Sequence, residues 1–281
     1  NRIITEKNVE VKTSQPIVVF RESITKVSQE VEGKTPNKHN KFYFVVEPLN
    51  PEVYKLIKEG NIPEGRIKKK NLEIRNALIE TGMEGKEADQ VKDIYNGNIF
   101  LDKTRGQVHL GEVLEMIFDM FEEVMRKGPS AREPCAGVKV SLTDMSLHED
   151  AIHRGPAQVY PAIREGIRGA MLTANPIMLE PMQVMLIEAP NEYLGSLTKL
   201  VSSIRGQLLD VTQEGALVFV KGKLPVMSML GWSSDLRSAT EGRGVSSLVD
   251  QSFERLPAEL QLKVVQEIKS RKGLTDAMVG V

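Results

Sequence analysis

The sequence holds a single cysteine, Cys135, among 281 residues. One thiol cannot build an intrachain disulfide framework or a cysteine-rich zinc site, so a reducing cytosol, and hence a cytoplasmic setting, is expected. An excess of charge of one sign is also missing. Lys+Arg 37 against Asp+Glu 38 leaves a formal net charge of -1, so bulk electrostatics does not mark a nucleic-acid binder and any RNA contact must come from local loops. No uninterrupted apolar run is long enough to span a bilayer, so no membrane partner is expected. The start Asn1-Arg2-Ile3-Ile4 lacks signal-peptide architecture. The absence of an initial Met raises the expectation of a fragment or a processed chain. What is present, 41% hydrophobic and 27% charged residues, suits a soluble chain with two domains, each with its own core.

Periodicity predicts the elements. Val9-Glu10-Val11 alternates, Pro16-Ile17-Val18-Val19-Phe20-Arg21 reads as a buried strand, and 42–46 is a third β stretch. The polar run Lys34-Thr35-Pro36-Asn37-Lys38-His39-Asn40 separates the last two, which predicts a long hairpin with a basic tip. From 51 to 97 the pattern reads as helical, with Val53, Leu56 and Ile57 on one face and Leu72, Ile74, Leu78 and Ile79 on another. Within it Arg66-Ile67-Lys68-Lys69-Lys70 reads as a solvated helix face. An amphipathic helix over 109–127 stops at Gly128-Pro129, a strand follows over 137–142, and a helix over 156–174. Beyond Asn175-Pro176 the order is strand 182–188, helix 193–204, strands 207–211 and 216–220, helix 229–239 and strand 245–253. That is the β-α-β-β-α-β order of a ferredoxin-like sandwich. A last helix, 257–272, carries Leu260, Val264, Val265 and Ile268 on one side and a basic end that suits the helix dipole. The fold class is α+β.

Three strings approach catalytic signatures and miss. Gly33-Lys34-Thr35 resembles the end of a phosphate-binding loop, but Ser28 stands where the earlier glycine belongs and Pro36 where a helix must start. In Asn37-Lys38-His39-Asn40, a guanine-reading tetrad would need a carboxylate at Asn40. In His148-Glu149-Asp150-Ala151-Ile152-His153 the histidines are five apart, which on a helix turns them away from each other instead of toward one metal. A stand-alone metal-dependent hydrolase using His148 and His153 remains the reading from a different class.

Ser146-Leu147-His148-Glu149-Asp150-Ala151-Ile152-His153-Arg154-Gly155-Pro156-Ala157-Gln158 closely resembles the diphthamide segment of the archaeal-type translation elongation factor 2 family. Further strings are similar to the same family: Pro16-Ile17-Val18-Val19-Phe20-Arg21-Glu22, Thr35-Pro36-Asn37-Lys38-His39-Asn40, Leu101-Asp102-Lys103-Thr104-Arg105-Gly106, Leu179-Glu180-Pro181, Gly231-Trp232-Ser233-Ser234-Asp235-Leu236-Arg237-Ser238 and Arg271-Lys272-Gly273-Leu274. Glu241-Gly242-Arg243-Gly244 and Met229-Leu230 depart from its pattern. The resemblance implies a remnant of a third domain over 1–15, a fourth domain like domain 2 of ribosomal protein S5 with a helical insertion over 16–177, a ferredoxin-like fifth domain over 178–256, and a helix with tail over 257–281 packed on the fourth domain. It also implies a factor for GTP-dependent translocation of tRNA and mRNA. GTP and Mg would then belong to a preceding domain, leaving this chain with no cofactor, no metal and no catalysis of its own. The implied site is a tip of Pro36, Asn37, Lys38, His39, Asn40, His148, Asp150, Arg154 and Gly155 facing ribosomal RNA of the decoding region and the tRNA–mRNA pair. His153 would carry diphthamide and be the ADP-ribosylation target. The implied partners include diphthamide-synthesis enzymes and ADP-ribosylating toxins. Related ribosome-maturation and spliceosomal GTPases are the nearest alternatives, and they are not expected to carry the His153 string.

Overall fold

The computed structural model describes residues 17–69, 71–104 and 110–275. The strand expected at Val9-Glu10-Val11 and the remnant expected over 1–15 lie outside these residues, as do Lys70, Arg105, Gly106 and His109. The chain divides into two compact units, one built from Phe20–Glu180 together with the chain from Phe253, the other from Pro181–Ser252 together with residues 17–19.

In the larger unit, strand β1 (Arg21–Ile24) pairs antiparallel with the first residues of a long strand, Pro176–Pro190. A separate sheet has six strands. In chain order they are β2 (Val31–Lys34), β3 (Lys41–Pro48), β4 (Gly65–Arg66), β5 (Val91–Tyr95), β6 (Asn98–Asp102) and β7 (Val138–Ser146), and they lie side by side as β2-β3-β7-β6-β5-β4. Alternation in β3 buries Phe42, Phe44 and Val46 completely. Only β6 and β7 run parallel, and the chain joins them through helix Leu110–Arg126.

Among the described residues three helices precede that one: α1 (Pro51–Lys58), α2 (Leu72–Glu80) and α3 (Gly85–Gln90). The helix Leu110–Arg126 is therefore α4, and α5 (Pro156–Thr173) follows it. Strand β6 shows how the layers form. Phe100 enters the core with Val113, Ile117 and Phe121 of α4 and Ile163 and Ile167 of α5. Its neighbours Ile99 and Leu101 enter a second core with Val53 and Ile57 of α1 and Ile74 and Leu78 of α2. Successive residues of a strand face opposite ways, so the sheet is a middle layer with helices on both sides.

Three expectations change here. The partner of 42–46 is β2, through Val31↔Phe44 and Lys34↔Lys41, not the 16–21 stretch, whose Arg21 belongs to β1. The helical reading over 51–97 breaks at β4 and β5, so Arg66 sits on an edge strand and not on a helix face. Leu72 is 65% exposed, off the buried face of α2. The β5–β6 hairpin was hidden because two polar residues, Asp93 and Asn98, are buried in it. Asn98 is satisfied: its amide donates to the carbonyls of Tyr95, Asn96 and Cys135, each at 3.1 Å, and its Oδ1 accepts from the Val138 N–H at 2.9 Å.

A buried carboxylate ties β1 to the turn after α4. Glu22 accepts from the backbone N–H groups of Ser130, Ala131 and Glu133 at 2.6, 2.9 and 3.0 Å. Burial pushes its carboxyl up, against the pull of those three donors.

The long strand from Pro176 is β8, and from Met182 onward it belongs to the smaller unit. There the order is α6 (Leu194–Ser203), β9 (Gln207–Glu214), β10 (Leu217–Pro225), α7 (Trp232–Ala239) and β11 (Val245–Arg255). β10 pairs antiparallel with both β8 and β9, and β11 pairs with β8. The spatial order β11-β8-β10-β9 is that of a ferredoxin-like sandwich.

The last helix, α8 (Ala258–Lys272), returns to the larger unit. It buries Val264 and Ile268. Its basic end meets Glu133, which is 3% exposed: Lys272 Nζ lies 2.6 Å and Arg271 3.7 Å from that carboxylate. Lys272 also donates to the Arg132 carbonyl at 2.8 Å. The cationic turn thus has a specific anionic partner beyond the helix dipole. Among the described residues no helix is long and apolar enough to cross a membrane.

Candidate functional site

The turn between β2 and β3 closes on itself first. The Thr35 hydroxyl donates to Asn37 Oδ1 at 2.6 Å and accepts from the Asn40 N–H at 3.0 Å. Lys38 takes φ 64, and its N–H donates to the Thr35 carbonyl at 2.7 Å. Asn37 Oδ1 also accepts from the His39 N–H at 3.1 Å. Pro36, Lys38 and His39 are left exposed at the end of the hairpin.

This turn is bonded to the loop between β7 and α5. Asn40, fully buried, donates to the His153 carbonyl at 2.8 Å and accepts from the His148 N–H at 2.9 Å. Asn37 donates to the same His153 carbonyl at 3.3 Å, and its N–H reaches Gln158 Oε1 at 2.9 Å. The two loops, more than 100 residues apart in sequence, are one assembly. Asn40 therefore serves as a joint inside the tip and not as a surface contact. Gln158 was absent from the expected site because nothing in its local sequence signals a partner so far away.

Arg154 also changes role. It is 5% exposed, and its guanidinium donates to the carbonyls of His148 and of Glu149, the latter at 2.8 Å, and pairs with Glu112 of α4 at 2.5 Å. A side chain expected to reach outward instead clamps the loop from within. Lys41, the first residue of β3, pairs with Glu32 at 3.0 Å. Gly155 has φ -68, a value open to any residue, and a Cβ there would meet nothing within 4 Å. The turn does not need a glycine, and Pro156 begins α5 at its first turn, where proline is favoured.

The loop brings three imidazoles together. Ring centroids are 4.4 Å apart for His39 and His153, 4.5 Å for His148 and His153, and 4.9 Å for His39 and His148. The expectation that His148 and His153 point apart fails because no helix spans them. Only a short 3₁₀ turn, Ala151–Arg154, lies there, capped by Asp150, whose Oδ1 accepts from the Ile152 N–H at 3.1 Å. His148 Nδ1 is already engaged by the Asp150 N–H at 3.1 Å. Among the described residues no group of three or more His, Cys, Asp or Glu side chains is arranged to hold a metal ion.

Neither nucleotide-like string fits a nucleotide. Gly33 and Lys34 lie in β2, with Gly33 pressed on α5, and the amide side chains of Asn37 and Asn40 are consumed within the tip.

Arg154→Ala is expected to lower stability by about 1–3 kcal/mol, because two part-buried carbonyls lose their buried donor while half-exposed Glu112 can rehydrate. Lys38→Ala should stay within about 0.5 kcal/mol. Denaturant melts of the two variants, with amide exchange across 148–153, measure the contrast; equal melts would show that the clamp is idle.

Two family profiles match the chain, "Elongation factor G, domain IV" over residues 60–175 and "Elongation factor G C-terminus" over residues 177–264. Among curated relatives, elongation factor 2 of Methanosphaera stadtmanae is 47% identical over 277 residues, covering 99% of this chain and 38% of that protein. Elongation factor 2 of Nanoarchaeum equitans is 49% identical over 277 residues, covering 97% and 37%. That of Methanocaldococcus jannaschii is 48% identical over 274 residues, covering 97% and 38%. The chain thus spans well under half the length of these relatives. With near 48% identity along almost its whole length to archaeal elongation factors 2, and both carboxy-terminal domain profiles in order, the chain belongs to the elongation factor 2 family.

Proposed function

We propose that this chain is the ribosome-probing part of a translocation factor. In this reading 16–177 is the fourth domain, 178–256 the fifth, and 257–281 a helix and tail returning to the fourth. The factor works in the cytoplasm, and GTP and Mg are handled by the part of the longer relatives that this chain does not span. The chain's own task is binding, with no chemistry of its own.

The observation that carries the reading is the built tip. Two loops are cross-bonded through Asn40 and the His153 carbonyl, clamped by Arg154, and end in Pro36, Lys38 and the ring cluster of His39, His148 and His153. A rigid, compact end with an exposed lysine can enter a narrow RNA-lined space and contact phosphate without ordering a flexible loop on arrival. The partners are rRNA of the decoding region and the tRNA–mRNA pair. His153 is the residue proposed to carry diphthamide and to accept ADP-ribose from toxins, after modification by the diphthamide-synthesis enzymes. A fixed cation and amide added there would reach phosphate and 2′-hydroxyl groups beyond the bare ring.

Peptide mass spectrometry of the protein from its native cell tests this. The modification is expected on His153 and on neither His39 nor His148, with toxin-catalysed labelling lost in His153→Ala. An unmodified His153 without labelling would overturn it.

A further inference from the structure

A cleft of about 230 Å³ opens beside β4 and β5, lined from within 67–69, 71–75 and 88–92, none of which belongs to the histidine tip. Its floor is apolar, from Ile67, Ile74 and Val91. Its rim is cationic: Lys68, Lys69, Arg75 and Lys92 line it against one carboxylate, Asp89. Arg75 and Asp89 pair with each other at 3.1 Å, so the one carboxylate of the lining is not left for the lysines. Lys68, 76% exposed, pairs with Glu115, outside the lining, at 3.8 Å. Lys92 Nζ donates to the Asp89 backbone carbonyl at 3.3 Å, and among the described residues neither Lys69 nor Lys92 has a carboxylate partner. Nearby acids are taken elsewhere. Glu115, Asp119 and Glu122 hold Arg66 at 2.6, 2.7 and 2.8 Å, and Glu87 holds Lys139 at 2.7 Å.

The donor set selects the ligand. Lysine ammonium groups act as point charges that suit the phosphate oxygens of a backbone, without the planar fork that arginine brings to bidentate pairing with a carboxylate or a phosphate. The only arginine in this cleft is spent on Asp89. Asn71, the one neutral polar side chain in the lining, already accepts from the N–H groups of Glu73 and Ile74. With that acceptor used, charge is the main basis of recognition.

We propose that this cleft binds the phosphodiester backbone of RNA, without sequence preference, as a second contact independent of the tip. The inference goes beyond the reading above and does not require His153 to be modified.

Fluorescence anisotropy of the full chain with a labelled oligouridylate tests it. Lys69→Ala/Lys92→Ala should weaken binding by roughly 10- to 25-fold near 0.1 M salt. The slope of log K against log salt should fall by about 1.4, since each single-strand phosphate contact contributes about 0.7. Both lysines are at or near the surface, so the melt should not move. A double variant with wild-type affinity and slope overturns the inference, as does a wild-type chain that does not bind the probe at low salt. Loss confined to Lys38→Ala overturns the cleft while leaving the tip reading intact. Polyglutamate competing as well as RNA at equal charge would assign an acidic protein instead, and overturn it too.

Discussion

Gly33→Ala is expected to destabilise the larger unit by more than about 3 kcal/mol, beyond the usual range for overpacking. A Cβ at this position would stand 2.1 Å from the Ala162 carbonyl oxygen and 3.2 Å from the Gly166 Cα. Both are backbone atoms of α5, so no side chain can swing aside. The close approach is reciprocal, because a Cβ on Gly166 would fall 2.7 Å from the Phe44 ring and 3.2 Å from the Gly33 Cα. Strand and helix would have to separate, dragging Phe44 out of its fully buried place. The strain would also reach the tip, since β2 runs into the 35–40 turn and α5 starts where the histidine loop ends. At about 2–4 °C per kcal/mol for a unit of this size, the melting midpoint should fall by at least roughly 6 °C. Gly111→Ala is the control: it sits in α4 with nothing within 4 Å of its Cβ, so the same change should be neutral or stabilise by up to about 1 kcal/mol. A Gly33→Ala melt equal to wild type would show that β2 and α5 do not pack this closely.

Asp93→Asn should do the opposite and stabilise the chain, increasingly so as pH rises. Asp93 is 1% exposed and neither carboxylate oxygen has a hydrogen-bond partner. It stands across from Arg66 in the β4–β5 register, but that guanidinium is turned to Glu115, Asp119 and Glu122 of α4. Burial, and then the nearby Glu122 charge, push the Asp93 carboxyl up to about 7, with Arg66 pulling the other way; the Ile94 N–H also pulls down, from outside hydrogen-bonding geometry. The sign follows from proton counting. Between about 4, where the group ionises in the unfolded chain, and about 7 the folded state holds the extra proton, so the stabilisation present at low pH is lost as pH rises through 7. The loss is on the order of 2–4 kcal/mol. Asparagine keeps the shape and never ionises. Chemical denaturation at pH 5 and pH 8 should therefore show Asp93→Asn little changed at the lower pH and clearly more stable than wild type at the higher. A variant less stable at pH 8 would mean that Asp93 is ionised and solvated in the fold.

The elements with strong periodicity were legible from sequence. The buried stripe of α4, the alternation of 42–46 and the strand–helix order after Met182 all describe segments whose burial is set locally. The β2–β3 pairing was not, because Val31-Glu32-Gly33-Lys34 is less apolar than the 16–21 stretch that competed for the role. What places it is the glycine contact with α5, a long-range fact. The tip divides in the same way. Its strings could be recognised by resemblance, but whether a polar residue points out or in depended on partners far along the chain. Lys38 and His39 stay outside, while Asn40 and Arg154 are turned inward. The two histidines judged to diverge converge because no α-helix spans the segment between them.

The return of α8 sets an order of assembly during synthesis. Residues 181–252 form their own unit, while the segments on either side of them belong to the other, where the Leu256 N–H donates to the Met178 carbonyl at 2.9 Å. A chain emerging from the ribosome can close the smaller unit as soon as β11 appears. The larger one, although most of its residues come first, must wait for Lys272 to reach Glu133. Until then Glu133 has no cation from α8, and the surface meant for Val264 and Ile268 stays open. The unit with most of its residues made early is the last to be finished, so a nascent chain stalled just past residue 256 would present a complete small unit beside a protease-sensitive large one.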